Sequence, residues 1–215
     1  MHSEFTAQHS EDKWLADNWH GLGLPEAGFF VEFGAGDGKE FSNTFWLEHT
    51  KGWTGLLCEP DPRQDKKKLK RIRPNSIVEK CCIGPYDVVS FGLCHDPLLS
   101  GEFRTNNLGN NTEPNQKRLS VINRVSVNQV PLTSLLSKHA VRKVDVLSVD
   151  TEGSELYALG SLDWMRWSPK VCIVELSTWG LKDSEKYGEA NKEFMLARGY
   201  KLAHETQCNG IFVRG

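Results

Sequence analysis

The chain alternates between short apolar runs and segments whose apolar residues recur with helical spacing. Apolar runs of about four to eight residues bounded by glycine or proline are typical of buried strands. We predict strands over residues 28–33, 53–58, 76–83, 87–94, 121–130, 144–149, 171–176, 200–205 and 210–214. We predict helices around residues 14–19, over 41–50, after Pro62, over 131–136, around 156–159 and from about 183 to 199. Because strands alternate with helices, the sequence predicts an α/β fold with a mainly parallel sheet covered on both faces.

The length of 215 residues favours one domain with a short appendage. We expect residues 1–27 to form an N-terminal helical extension and residues 28–215 to form the main domain. Residues 98–120 are rich in asparagine and contain two glycines and one proline, which predicts a long polar loop. Loops of this length inside a compact domain are usually functional lids or disordered segments.

The formal net charge of −2 gives no general attraction for nucleic acid, so we expect no nucleic-acid partner. Basic residues concentrate between Arg63 and Arg73, which predicts either a solvated helix face or a docking patch for an anionic substrate. The chain shows no signal peptide and no apolar run of about 18 residues, so we expect a cytoplasmic protein without a membrane span. The six cysteines lie mostly in apolar runs and form no CxxC pair, which predicts buried, reduced thiols rather than a zinc site.

A glycine-rich turn follows the first predicted strand and precedes a helix. Gly34, Gly36 and Gly38 are spaced GxGxG, whereas a dinucleotide site usually has GxGxxG. The acidic residues Glu32 and Asp37 flank the glycines, and carboxylates repel a pyrophosphate but suit an ammonium or a sulfonium group. The sign of the charge therefore favours S-adenosylmethionine over a nicotinamide cofactor, and a structural turn without a ligand is the alternative.

Acidic residues also stand at the ends of three other predicted strands. Glu59, followed by Pro60, ends the second strand, where a carboxylate can accept hydrogen bonds from both ribose hydroxyls. Asp150 and Glu152 follow the strand at 144–149, and Glu175 stands near the end of the next one. These three acids could provide a general base, hold an ammonium group or bind a hard cation such as Mg²⁺. In the alternative, Asp150 and Glu152 only cap the following helix, and Glu59 only begins one.

Taken together, these segments resemble the FkbM-like methyltransferase family. The resemblance covers roughly residues 28–214, and it is carried by residues 30–44, 59–62, 145–155 and 209–214. It implies a Rossmann-like class I methyltransferase fold, with a mainly parallel seven-stranded sheet and an antiparallel terminal strand. It also implies that S-adenosylmethionine is bound by Glu32, Gly34, Ala35, Gly36, Asp37, Ser42, Asn43, Glu59 and Pro60. The chain departs from the family where Glu32 and Gly36 stand, since the family often has Asp and Asn there.

The resemblance implies methyl transfer, commonly to a hydroxyl oxygen, so we expect O-methylation of a small molecule or a sugar. Asp150 or Glu152 is the first candidate for the general base, and His204 is a second one. Trp179 could form a wall of the acceptor pocket. The rival hypotheses are a non-catalytic protein that binds a ligand or partner, and a nicotinamide-dependent oxidoreductase. The sequence does not indicate the oligomeric state.

Overall fold

The computed structural model describes residues 4–85, 87–97, 100–102, 121–177 and 184–215. Most of the predicted polar loop at 98–120, and Trp179, therefore lie outside the described residues. The helices are α1 (Glu11–Leu22), α2 (Phe45–His49), α3 (Lys66–Ile72), α4 (Leu132–Lys138), α5 (Glu155–Gly160) and α6 (Ser184–Leu196). The strands are β1 (Phe29–Phe33), β2 (Thr54–Cys58), β3 (Ser76–Glu79), β4 (Cys82–Ile83), β5 (Asp87–Cys94), β6 (Gly101–Glu102), β7 (Val121–Val130), β8 (Val146–Val149), β9 (Val171–Glu175), β10 (Tyr200–Glu205) and β11 (Asn209–Arg214).

A seven-stranded sheet with the order β10-β11-β9-β8-β1-β2-β3 forms the centre of the fold. Strands β3, β2, β1, β8 and β9 are parallel, and the C-terminal strand β11 runs antiparallel to both of its neighbours. Strands β2 and β8 pair with opposite edges of β1. The strands that follow β1 directly are therefore added on one side of it, and those from β8 onwards are added on the other side. Ligands in doubly wound sheets bind at such a reversal.

Alternate residues along the central strands face opposite sides of this sheet, as the pleat of a strand requires. On one face, Phe30 and Ile173 pack with apolar residues of α1, α2 and α3. On the other face, Val31 and Cys172 pack with residues of α4, α5 and α6. Both faces are therefore covered, which explains why the strands are apolar at nearly every position.

A second sheet, with the order β4-β7-β5-β6, was not predicted from the sequence. The predicted strand at 76–83 is divided between the two sheets, because β3 pairs with β2 whereas β4 pairs with β7. The change falls at the charged, half-buried pair Glu79 and Lys80, which the buried Cys81, Cys82 and Ile83 follow at once. The sequence analysis continued one strand through this pair and so missed the change.

Two helices begin later than the sequence predicted. The helix expected over 41–50 begins at Phe45, because Ser42 and Asn43 are held in a loop by Glu32. The helix expected after Pro62 begins at Lys66, where the carboxylate of Asp65 accepts a hydrogen bond from the N–H of Lys67. Among the helices of the described ranges, none combines the length and the apolar character that crossing a bilayer requires.

Candidate active site

A cavity of about 630 Å³ opens at the carboxyl ends of strands β1, β2, β8 and β9. The turn after β1 contributes Gly34 and Gly36 to its wall, and Glu59 enters from the end of β2. The small sheet supplies a further part of the wall through Phe91 and Glu102. The volume lies within the range of known ligand pockets, and the position is the one where open α/β sheets bind their ligands.

The turn after β1 touches the turn after β8. Gly34 has a φ of +71°, and a Cβ at this position would lie 2.3 Å from the backbone carbonyl oxygen of Asp150. Any side chain would therefore be both strained and in collision with backbone. The contact lets the glycine turn and the acidic residues after β8 line one continuous cavity.

Glu59 is held rigidly where the sequence analysis expected a ribose-binding residue. Its carboxylate accepts hydrogen bonds from the N–H groups of Gly36, at 2.7 Å, and Asp61, at 2.6 Å. Burial raises the pKa of Glu59 to about 7, although these hydrogen bonds and the charge of Lys80 oppose the shift. Each carboxylate oxygen can accept a second hydrogen bond, so Glu59 can bind hydroxyl groups from the cavity.

Glu32 belongs to a buried network beneath the turn and does not line the cavity. Its carboxylate accepts hydrogen bonds from Ser42 Oγ, Asn43 N–H and Thr44 Oγ1, the shortest of them at 2.8 Å. The guanidinium of Arg73, which is 0% exposed, lies 3.4 Å from Glu32 and 2.7 Å from Glu48, so two buried carboxylates share its one positive charge. Glu32 therefore has a cationic partner and does not face the cavity, so the structure does not support direct contact between Glu32 and a cationic ligand. Arg73 lies 41 residues away in the sequence, and the sequence analysis did not identify it as this partner.

Of the remaining residues predicted to bind the cofactor, Pro60 lines the cavity and Ala35 and Asp37 do not. Ala35 is 2% exposed and packs in the core beneath the turn. The carboxylate of Asp37 accepts hydrogen bonds from the N–H groups of Lys39 and Glu40, both at 2.9 Å. Both residues thus shape the loop that follows β1.

The basic run between Arg63 and Arg73 is only partly a solvated face. Residues 66–68 are exposed on α3. The guanidinium of Arg63 donates hydrogen bonds to the Asp61 carboxylate, the carbonyl oxygen of Cys94 and Ser100 Oγ. Arg73 is buried at the end of α3, one helical turn after the buried Leu69. The two ends of the run are therefore structural, and the structure gives no support to a docking patch that includes them.

Asp150, Glu152 and Glu175 meet in the cavity wall, as their positions at neighbouring strand ends predicted. A carboxylate oxygen from each residue lies within 4.8 Å of the others. Burial raises the pKa of all three carboxyl groups, and their proximity adds to the shift because like charges repel. Asp150 and Glu152 are half-buried, whereas Glu175 is 6% exposed.

Glu155 performs the structural role that the alternative hypothesis gave to Asp150 and Glu152. Its carboxylate accepts hydrogen bonds from the N–H groups of Thr151 and Gly153, both at 3.0 Å, and from Thr151 Oγ1. It thereby fixes the loop between β8 and α5. Asp150 and Glu152 accept no hydrogen bond from any of the described residues, so both carboxylates are available to a ligand.

Sequence reasoning missed several residues of the cavity wall. Gln8 and Phe41 line it, and the segment around Ala7 reaches Phe41 through a parallel β-bridge. Cys58, Cys81, Cys82 and Cys208 also line it, and all six cysteines are free thiols. The second candidate base, His204, is instead exposed on β10 and stacks on Trp14 with 5.8 Å between ring centroids. An N-terminal segment at the site carried no motif by which it could have been found.

A family model of the methyltransferase FkbM domain matches residues 32–202. The chain belongs to the FkbM methyltransferase family. Activity in this family implies the use of S-adenosylmethionine. The strand order and the antiparallel C-terminal strand confirm the mainly parallel seven-stranded sheet that the resemblance implied.

Three solved structures are similar to this FkbM chain at low sequence identity. A crystal structure of a fibrillarin/Nop5p complex has 13% identity and a TM-score of 0.49, with 89% of this chain and 75% of that chain covered. The fibrillarin pre-rRNA processing protein of Methanococcus jannaschii has 14% identity and a TM-score of 0.48, with 89% and 69% covered. Precorrin-6y C5,15-methyltransferase of Geobacter metallireducens GS-15 has 13% identity and a TM-score of 0.43, with 94% and 85% covered. No curated protein matches the chain, so the family model carries the assignment.

Proposed function

We propose that this FkbM domain is an S-adenosylmethionine-dependent O-methyltransferase that acts on a hydroxyl group of a small molecule or a sugar. The observation that carries the proposal is the position of Glu59. Its buried carboxylate is fixed by the N–H of Gly36 and faces the cavity of a methyltransferase-family fold. A carboxylate at this strand end suits the two ribose hydroxyls of an adenosyl cofactor.

The rest of the cofactor follows from the shape of the cavity. The adenosyl group would lie along Gly34, Gly36 and Pro60, where the absence of large side chains allows close approach to the backbone. Glu32, Ser42 and Asn43 would act indirectly, by holding the loop after β1 in place. The charge that favours a sulfonium would come from Glu59, and not from Glu32.

Methyl transfer needs the donor and the acceptor to be held in line at close distance. The acceptor oxygen forms a bond to the methyl carbon as the carbon–sulfur bond breaks, and sulfur keeps the electron pair of that bond. The acceptor hydroxyl must also lose its proton. Asp150 and Glu152 lie on the cavity wall, where they can serve as the general base or as ligands of a cation such as Mg²⁺.

A small neutral acceptor agrees with the charge of the molecule. Seven acidic residues line the cavity, and none of the lysines, arginines and histidines in the described ranges does. The formal net charge of the chain is −2. Both observations favour a hydroxylated small molecule or sugar over nucleic acid, which proteins bind through lysine and arginine.

A methyl-donor assay with labelled S-adenosylmethionine tests the proposal against a panel of sugars, hydroxy acids and small peptides. We expect methylation of a hydroxyl-bearing compound, and we expect Asp150→Asn to lower turnover by about 100-fold or more with little change in cofactor affinity. Cofactor binding without methylation of any compound in the panel would instead support a non-catalytic binding protein. Unchanged turnover in Asp150→Asn would remove that residue from the mechanism.

A further inference from the structure

Asp150, Glu152 and Glu175 crowd three carboxyl groups into one wall of the cavity. Their nearest carboxylate oxygens lie within 4.8 Å of one another. None of the cationic side chains in the described part of the chain forms an ion pair with these residues. Carboxylates this close repel each other when they are ionised, so together they either hold protons or share a cation.

Glu175 provides an independent sign that a ligand belongs here. It is 6% exposed, and its Oε2 atom is buried without a hydrogen-bond partner. A buried polar oxygen without a partner destabilises the fold, so native proteins rarely leave one unless it has a function. Its backbone is also fixed, because Asn191 Nδ2 donates a hydrogen bond to the Glu175 carbonyl oxygen at 2.8 Å.

The surrounding chain holds the other two carboxylates in place. Glu155 fixes the loop that carries Asp150 and Glu152, through hydrogen bonds from Thr151 and Gly153. Glu152 has a positive φ of 55°, a conformation that is rare for a residue with a side chain. The small sheet packs directly against it, since a Cβ at Gly101 would lie 3.0 Å from the Cβ of Glu152.

We propose that Asp150, Glu152 and Glu175 bind a hard divalent cation, Mg²⁺ or Mn²⁺, in the wall of the cavity. Oxygen atoms are the ligands that such cations prefer, and carboxylate oxygens are the most common protein ligands among them. A cation held by these three residues would lower the pKa of the acceptor hydroxyl, so that its proton could pass to water as the oxygen bonds to the methyl carbon and sulfur leaves with the electron pair of the carbon–sulfur bond.

The role of the cation in catalysis rests on the proposed function, whereas cation binding can be measured on the protein alone. The competing occupant is the ammonium group of the cofactor, which would also neutralise these acids. The two occupants differ in one respect, because only a metal site binds Mn²⁺ in the absence of any nucleoside.

The test is a titration of the chelator-treated full chain with Mn²⁺. Electron paramagnetic resonance of the free ion measures binding, and thermal unfolding measures the effect of binding on stability. We expect one site per chain and a melting temperature that rises with Mn²⁺. We expect Asp150→Asn, Glu152→Gln and Glu175→Gln each to weaken Mn²⁺ binding by about 10–100-fold. The control Glu40→Gln removes a cavity acid outside the cluster and should leave Mn²⁺ affinity within about twofold.

A second readout separates a metal site from general damage to the fold. In metal-free protein, Glu175→Gln should melt at or above the wild-type temperature, because it removes an acid from a cluster whose ionised members repel one another. At saturating Mn²⁺ the order should reverse. Wild-type protein that binds no Mn²⁺ would overturn the proposal, and so would cluster variants that weaken only S-adenosylhomocysteine binding. In either case, S-adenosylhomocysteine binding by chelator-treated wild-type protein would leave the proposed methyltransferase function standing.

Discussion

Replacing Arg73 by methionine should destabilise the protein severely, although Arg73 belongs to a run of basic residues that reads as solvated surface. Arg73 is 0% exposed, and its guanidinium donates a hydrogen bond of 2.7 Å to Glu48. The same group donates to Glu32 at 3.4 Å and to Thr44 Oγ1 at 2.8 Å. Methionine fills a similar volume but leaves two buried carboxylates without a cation.

Breaking a buried ion pair by removing one partner costs about 3–5 kcal/mol, since the other charge stays buried and unpaired. Each kcal/mol shifts the melting temperature of a chain of this size by about 2–4 °C, so Arg73→Met should lower it by roughly 6–20 °C. Urea unfolding followed by circular dichroism gives the free energy of unfolding directly. The matched control is Arg71→Met, an exposed residue on the same helix, which should change the free energy of unfolding by about 0.5 kcal/mol or less.

A rescue variant identifies the cause. Combining Arg73→Met with Glu32→Gln and Glu48→Gln removes the unpaired charges, so it should recover part of the lost stability. If the free energy of unfolding of Arg73→Met lies within about 1 kcal/mol of that of the Arg71→Met control, burial of the Glu32 and Glu48 carboxylates does not require the charge of Arg73. Glu32 would then carry an unbalanced charge, and its role in attracting a cationic cofactor would have to be reinstated.

Three further predictions concern the cavity. Gly34→Ala should weaken S-adenosylhomocysteine binding at least about tenfold more than the control Gly52→Ala in calorimetric titrations. The two glycines have nearly the same φ, 71° and 70°, but only Gly34 lies against the backbone of another segment. Equal effects of the two variants would contradict the proposed contact with the turn after β8. Since burial raises the pKa of Glu59 to about 7 and hydroxyl donors favour its ionised form, cofactor binding should release a proton near neutral pH. Affinity should therefore fall by up to about tenfold per pH unit below 7, and heats of binding that do not depend on the buffer would contradict this assignment. Cys208 is half-buried in the cavity wall and the other five cysteines are buried, so an alkylating reagent should modify Cys208 first. S-adenosylhomocysteine should slow the alkylation of Cys208, as followed by mass spectrometry. A rate that S-adenosylhomocysteine does not change would place the ligand elsewhere.

The central sheet was predictable because its strands leave a direct mark on the sequence. Strands such as β1 and β9 are buried on both faces, so they appear as continuous apolar runs. Acidic residues at the ends of such strands must meet at one edge of a parallel sheet. The positions of Glu59, Asp150 and Glu175 on the cavity wall follow from that rule.

The parts that could not be predicted depend on contacts between distant residues. The change of sheet between Glu79 and Cys82 is marked only by the charged pair Glu79 and Lys80, and two charged residues do not reveal that the strands on either side pair with different partners. The pairing of Arg73 with Glu32 spans 41 residues, and the charge of each residue alone suggests an exposed or ligand-binding position. One local signal was available, since Arg73 follows the apolar Leu69 by one helical turn and therefore shares its buried face.

The most direct test of the account is a crystal structure of the full chain with S-adenosylhomocysteine. The account predicts that the ribose hydroxyls donate hydrogen bonds to the carboxylate of Glu59 and that the adenosyl group lies along Gly34 and Gly36. Density for the nucleoside outside this cavity, or NADH bound against Gly36 in place of any adenosyl sulfur compound, would contradict it.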